Sequence, residues 1–265
     1  MQTELNLHNI LIGELKEINE PVALCLSSGV DSQSLLFALL ELKKQVTVYS
    51  FTLNSRKSTD FMVAENLCKK LGVKFVPIYL PTDVQTIKKD VYELIKRFGC
   101  EKKTDVECCW PFLYVYKKAT EKIVVTGIPA DGHFCLSKKG MIHYKDRVDE
   151  FRRNYFSNPN AGQRIIRTRM AKTFGKRLID PFYSNKISAY LSGYTWEKLN
   201  KPYQKMPIRN AFKSEFKKLK VRNHTNLQKG DSGISDVFEK LLKTELNNKN
   251  YKSVVGIYNQ IRRDL

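Results

Sequence analysis

The residues best suited to chemistry are the stretch SSGVDS at 27–32. Small residues let a loop curl until its backbone N–H groups and hydroxyls converge on one point, and a helix starting there adds the positive end of its dipole. Such a loop binds an anion, and phosphate is the anion that fits. The spacing is neither that of a GxxxxGK loop closed by Ser or Thr nor that of the dinucleotide fingerprint GxGxxG. An aspartate within a phosphate loop repels the anion unless a divalent cation lies between them, so Asp31 reads as a magnesium ligand. A turn that merely caps a helix would use the same residue types.

A loop of this kind needs a strand to deliver it and a helix to follow it. Residues 21–27 (PVALCLS) form a short apolar run, and 33–44 (QSLLFALLELKK) carry helical periodicity with a basic last turn. The cycle recurs with a strand at 46–53, a helix at 59–72 closed by Gly72, and a strand at 73–80. Helices are predicted near 83–98 and 110–120, and KIVVTGI (122–128) is a further strand that leads into PADGHF. This alternation predicts an α/β fold built on a doubly wound parallel sheet. Beyond about residue 150 the strand pattern stops. A basic helix is expected at 162–174, and amphipathic helices at 240–250 and 251–265. The expected organisation is a core over 1–150 and a basic helical region over 151–265 packed against the carboxyl edge of the sheet.

The 265 residues suffice for one large α/β domain or a smaller one with an appendage. No window approaches the roughly 18 apolar residues of a membrane-spanning helix, and the first ten residues lack a basic region followed by an apolar core. A cytoplasmic protein with no membrane partner is expected. The six cysteines have no CxxC spacing and sit mostly in apolar runs, which predicts reduced thiols. Cys100, Cys108 and Cys109 leave open a metal site or a sulfur-handling pair. Lys and Arg total 46 against 27 acidic residues, a net charge of +19 that attracts polyanions. The partner could be tRNA or DNA, bound through the C-terminal half, where residues 151–200 carry ten basic side chains against Asp180 and Glu197. Arg164 and Arg167, one helical turn apart, are expected on one face. A solvated lysine-rich surface accounts for the charge equally well.

With these residues on view, the chain resembles the PP-loop ATP pyrophosphatases, whose loop is SGGxDS. Ser27, Gly29, Asp31 and Ser32 match, and Ser28 stands in place of the second glycine. Further stretches resemble one branch, the synthetase domain of asparagine synthetases and the related β-lactam synthetases. TDFMVAENLCKKLGVKF (59–75) is similar to its Asp followed by an alanine-rich helix, and VVTGIPADGHF (124–134) to its second signature. Pro181 and Phe182 resemble its PF pair, and Lys205 with Arg209 in KMPIR its KYxLR motif.

The resemblance implies an adenine nucleotide alpha-hydrolase-like fold with ATP and magnesium as cofactors. Ser27, Ser28, Gly29, Val30 and Ser32 would hold the phosphates, and Asp31 and Asp131 the magnesium. Ser50, Phe51, Thr52 and Gly127 would line the adenine and ribose. Lys205 would stabilise charge at the α-phosphate, with Arg209 as a further ATP contact. Plainer readings make Asp131 a turn residue, Lys205 a surface lysine and Asp60 the N-terminal charge of its helix. His133 reads as a polar loop residue or a base.

The departures bear on the acceptor. Ile128 stands where the branch has an acidic residue, Gly132 where it has Glu, and Arg177 and Ile179 replace the charged E and R ahead of the PF pair. Gln2 stands where a glutaminase domain would carry its nucleophilic cysteine, so ammonia or an amine is expected from outside. The implied function is an AMP- and pyrophosphate-forming, asparagine synthetase-like ligase or amidotransferase that adenylates a carboxylate or carbonyl oxygen for attack by an amine. Two alternatives stand beside it: the same adenylation on a nucleobase of tRNA or DNA, and a non-catalytic nucleotide- or nucleic-acid-binding protein.

Overall fold

Strands of a parallel sheet are covered on both faces, so they read as continuous apolar runs. The computed structural model describes residues 6–217, 219, 227–228, 230–241 and 254–264. Five parallel strands, β1 (Val22–Cys25), β2 (Val46–Leu53), β3 (Lys74–Leu80), β4 (Ile123–Val125) and β5 (Arg177–Ile179), lie in the order β3-β2-β1-β4-β5. Helix α1 (Leu7–Lys16) precedes the sheet, and α2 (Val30–Glu41), α3 (Thr59–Leu71), α4 (Val84–Lys96) and α5 (Lys103–Lys118) connect the first four strands. Helices α6 (Lys138–His143), α7 (Val148–Phe156) and α8 (Arg164–Thr173) lie between β4 and β5. After β5 come α9 (Asn185–Tyr190), α10 (Trp196–Asn200), α11 (Met206–Ala211), α12 (Lys213–Phe216), α13 (Ile234–Lys240) and α14 (Val254–Asp264).

The pleat divides the core. Val22, Leu24, Ile123 and Val125 point into the layer that holds α1, α2 and α3, whereas Ala23, Tyr49 and Val124 point into the layer of α4, α5 and α8. Local chemistry sets the ends of the helices. Ser58 caps α3 by accepting from the Phe61 N–H at 3.2 Å, and Gly72, at φ 66°, ends it in the left-handed conformation.

Three boundaries differ from the sequence reading. Helix α2 starts at Val30, not near 33, because Gly29 serves as its N-cap, so Asp31 and Ser32 occupy its first turn. Helix α5 starts at Lys103, where the Asp105 carboxylate accepts from the Lys102 N–H at 3.2 Å, and it runs through Pro111. The strands also do not stop near residue 150, since β5 extends the sheet beyond β4. Three residues are too few to show a period of two. The helix expected at 240–250 falls almost wholly outside the described residues, while α14 lies within the stretch expected to be helical at 251–265.

The shared face expected for Arg164 and Arg167 does not form. Arg167 is 1% exposed and donates to both carboxylate oxygens of Asp180, at 3.0 and 2.8 Å, and to the Gly162 carbonyl at 2.8 Å. Arg152 is also buried, paired with Asp149 and donating to the His133 carbonyl at 3.1 Å. Arg164 stays exposed over the Tyr183 ring at 3.9 Å, so Arg164 and Arg167 do not share a face. Helix α8 turns Ile166, Arg167, Met170 and Ala171 inward together, because Asp180 offers the guanidinium an internal partner. All six cysteines are unpaired thiols. Among the described residues no helix is long and apolar enough to cross a membrane.

Removing one partner of a buried ion pair leaves the other charge uncompensated. Arg167→Ala is therefore expected to destabilise the fold by about 3–5 kcal/mol. Arg164→Ala, which loses only an exposed contact, should change stability by less than about 0.5 kcal/mol. Urea unfolding of the two variants checks the contrast, and equal effects would contradict the buried placement of Arg167.

Candidate active site

The loop after β1 is closed by its own side chains. The Ser32 hydroxyl accepts from the Ser27 N–H at 3.1 Å and lies 3.1 Å from the Ser27 hydroxyl, while the Gly29 N–H donates to the Ser27 hydroxyl at 3.2 Å. The first N–H groups of α2 have no acceptor within the helix and face the point where the loop turns. Ser28, at the position that departs from SGGxDS, donates a short hydrogen bond to Asp60 and so ties the loop to the start of α3.

A second loop approaches from β4. A Cβ on Gly127 would lie 3.0 Å from the Asp31 Cβ and 3.0 Å from the Ser32 backbone nitrogen, so only glycine permits this contact. The short 3-10 turn Ala130–His133 then carries Asp131 to the vicinity of Asp31. Lys205, at the N-cap of α11, completes the group. Its ammonium is 2.5 Å from Asp31 Oδ2 and 2.5 Å from Asp131 Oδ1, with only 3% of the residue exposed. Burial alone would push the lysine pKa down, but the two carboxylates outweigh it and hold it above the ordinary value.

One ammonium in contact with both aspartates means that both carboxylates point at a single position. That is the geometry a divalent cation needs, and magnesium is usually held by one or two carboxylates plus substrate phosphates. Among the described residues no group of three or more His, Cys, Asp or Glu side chains forms a metal site by itself. Two carboxylates beside a phosphate loop fit magnesium without such a group.

These elements border a cavity of about 380 Å³ whose lining also includes Tyr49, Ser50 and Phe51 of β2 and Phe112, Tyr155 and Gln163. Every residue assigned to ATP or magnesium from the sequence borders it except Thr52. The Thr52 hydroxyl is spent internally, donating to the Arg56 carbonyl at 2.7 Å and accepting from the Ser58 N–H at 2.8 Å. Asp60, read as a helix-end charge, borders the cavity. His133 does not. It is fully buried, donates from Nε2 to the Phe182 carbonyl at 2.7 Å, and burial pushes its pKa down to about 3. It ties the Asp131 turn to the PF pair and stays neutral.

Sequence reasoning missed Tyr155, Gln163, Phe112 and Gln228 of the lining, and read Cys108, which also borders the cavity, only as part of a metal or sulfur-handling set. One signal was present. The glycine at 132 leaves the space that Tyr155 fills, since a Cβ there would lie 2.3 Å from the tyrosine ring. Burial pushes the Cys25 and Cys108 thiols up to about 12, so neither is a thiolate near neutral pH.

The model of the family described as asparagine synthase matches residues 17–242. No curated protein sequence matches the chain. Among solved structures, the chain is similar to a protein described as "predicted subunit of tRNA methyltransferase" from Methanocaldococcus jannaschii DSM, with 16% identity and a TM-score of 0.35 over 73% of this chain and 86% of that one. It is also similar to the U34-tRNA thiolase NcsA from Methanococcus maripaludis with its 4Fe-4S cluster, with 12% identity and a TM-score of 0.40 over 97% of this chain and 77% of that one.

The close approach at Gly127 is open to a direct comparison. Gly127→Ala must push the β4 loop off the first turn of α2 and is expected to destabilise the fold by about 1–3 kcal/mol. Gly13→Ala, at an exposed position of α1 with nothing within 4 Å of the added carbon, should instead stabilise by about 0.5–1 kcal/mol. Thermal unfolding of both variants reads the sign.

Proposed function

We propose that this chain, which belongs to the asparagine synthase family, binds ATP with magnesium in the cavity at 27–32 and splits it into AMP and pyrophosphate. The observation that carries this reading is Lys205 held 2.5 Å from both Asp31 and Asp131 beside the start of α2. The loop and the helix N-terminus would grip the β- and γ-phosphates, leaving the α-phosphorus toward Lys205 and open to in-line attack. Magnesium, held by Asp31 and Asp131, would neutralise charge on the leaving pyrophosphate.

An acceptor oxygen, of a carboxylate or a carbonyl, bonds to the α-phosphorus as the bond to the bridging oxygen breaks. Lys205 stabilises the negative charge that develops there. An amine or ammonia from outside then bonds to the activated carbon, AMP leaves, and a proton is released. The tyrosine, serine and phenylalanine at the end of β2 would receive the adenine end of the nucleotide. This is the asparagine synthetase-like ligase or amidotransferase reading.

A second reading places the acceptor carbonyl in a nucleobase of tRNA or DNA. The net charge of +19 favours it, and Arg153, Arg164 and Lys172 remain exposed in the C-terminal half.

Asp31→Asn and Asp131→Asn should each lower pyrophosphate release by about 100-fold or more, because each removes one of the two charges that would hold the metal. Coupled-enzyme detection of pyrophosphate, on variants shown to be folded by circular dichroism, is the measurement. Unchanged release in either variant would remove that residue from the metal site. The products carry a separate expectation: AMP and pyrophosphate should form together on anion-exchange analysis. ADP and inorganic phosphate as sole products would overturn cleavage at the α-phosphorus.

A further inference from the structure

The start of α3 does not need Asp60 as a cap. Ser58 accepts from the Phe61 N–H at 3.2 Å and the Thr59 N–H donates to the Asp231 carboxylate, so other oxygens satisfy these open donors of the helix end. The Asp60 side chain turns instead to the phosphate loop, where Oδ1 accepts a short hydrogen bond from the Ser28 hydroxyl. Among the described residues Asp60 has no other hydrogen bond and no ion pair. Ser28 thus engages one of its two oxygens.

Asp60 and Ser28 both border the cavity, as do Ser58 and, from β2, Ser50 and Phe51. A carboxylate here repels phosphate. Nor does it join Asp31 and Asp131, since among the described residues no three acidic, histidine or cysteine side chains come together as a metal site. The part of a nucleotide it can face with profit is a hydrogen-bond donor, and ATP carries donors at the two ribose hydroxyls and at the adenine amino group. The ribose is joined directly to the α-phosphate, whereas the amino group lies at the far edge of the base. A carboxylate tied to the phosphate loop through one serine is therefore next to the sugar. In dinucleotide-binding α/β sheets an acidic residue that follows the phosphate loop takes a ribose hydroxyl by the same chemistry.

We infer that Asp60 is the specificity-determining residue for the sugar, accepting from the ribose hydroxyls of ATP, and that Ser28 is the positioning residue that aims it. The glycine that occupies this loop position in the SGGxDS pattern has no hydroxyl with which to do so, and the tie is a departure made by this chain. The inference rests on the nucleotide reading above and adds the group that tells ribose from a sugar without hydroxyls.

Calorimetry with magnesium present compares α,β-methylene-ATP, which resists cleavage at the α-phosphorus, with its 2′,3′-dideoxy form and with the inosine counterpart, which lacks the amino group. The wild-type chain should bind the ribonucleotide at least about 10-fold more tightly than the dideoxy form, the worth of hydrogen bonds to a charged acceptor. Asp60→Ala should bring that ratio to within about 2-fold of unity, while the preference for adenine over hypoxanthine stays within about 2-fold of wild type. The same change removes a charge that repels the triphosphate, so the affinities for all three analogues shift together and the ratio isolates the sugar contact. Ser28→Gly, which restores the glycine of the pattern, reads the same contact with the carboxylate still present. It should lower the ribose preference by about 3-fold or more, a change that a purely structural role of Ser28 would not produce.

Equal affinity of the wild-type chain for the ribose and dideoxy forms overturns the inference, as does an Asp60→Ala variant that keeps the wild-type ratio. An unchanged ratio in Ser28→Gly overturns the positioning role of Ser28. Loss of the adenine preference in Asp60→Ala, with the ribose preference retained, would assign Asp60 to the base and overturn its assignment to the sugar. Failure of the wild-type chain to bind any of the three analogues would instead overturn the nucleotide reading beneath it.

Discussion

A buried ammonium cannot stand in the interior without negative partners, and Lys205 has two. The arrangement of the whole site follows from that requirement, because the three charges come from three distant segments: the first turn of α2, the turn after β4 and the start of α11. Lys205 itself sits at φ 61°, a conformation that costs a non-glycine residue roughly 1 kcal/mol. The backbone is held there by Asn200, whose side chain accepts from the Lys205 N–H at 3.3 Å and donates to the Phe134 carbonyl at 3.0 Å. Lys205 is thus fixed to the β4 loop twice, through its backbone and through its ammonium. The strain falls on the residue whose ammonium contacts both aspartates, where a fixed position is worth most.

The sheet supplies the frame for this contact. With β1 and β4 adjacent and their neighbours continuing on opposite sides, the order β3-β2-β1-β4-β5 opens a crevice beyond the carboxyl ends of those two strands. Gly127 lets the two loops of the crevice touch, and without that contact Asp131 would stand farther from Asp31. Behind the crevice a second buried cation, Arg167, is matched by Asp180 just after β5, and Thr126 joins the same carboxylate at 2.6 Å. One helix of the C-terminal half is in this way locked to the exit of the last strand. The Arg167 charge is therefore internal and neutralised, and the surplus of +19 resides elsewhere on the chain.

Tyr155 links the wall of the cavity to the framework. Its ring rests where a side chain at 132 would otherwise project, and it packs against Phe151 and Phe156 from the same helix. A tyrosine on α7 and a glycine in the turn Ala130–His133 have no relation in sequence. They become complementary only because α7 packs on the turn that holds Asp131.

Local pattern determined much of this protein. The apolar runs, the glycine and serine loop and the helical repeat of 59–72 are short-range features, and they suffice to foresee a parallel sheet with a phosphate loop at its edge. The residues assigned to ATP and magnesium, apart from Thr52, meet around one cavity, since motif spacing preserves which strand end carries them. Three things were settled only by tertiary contacts. β5 has three residues, too few for periodicity, and exists because β4 offers it hydrogen-bond partners. Arg152 and Arg167 look like surface charges until Asp149 and Asp180, brought up by the fold, make the interior the cheaper place for them. Thr52 does not border the cavity, because its hydroxyl is captured by the Arg56 and Ser58 backbone instead. Charge and side-chain direction depend on partners far away in the chain, and a local pattern carries no information about them until the chain is folded.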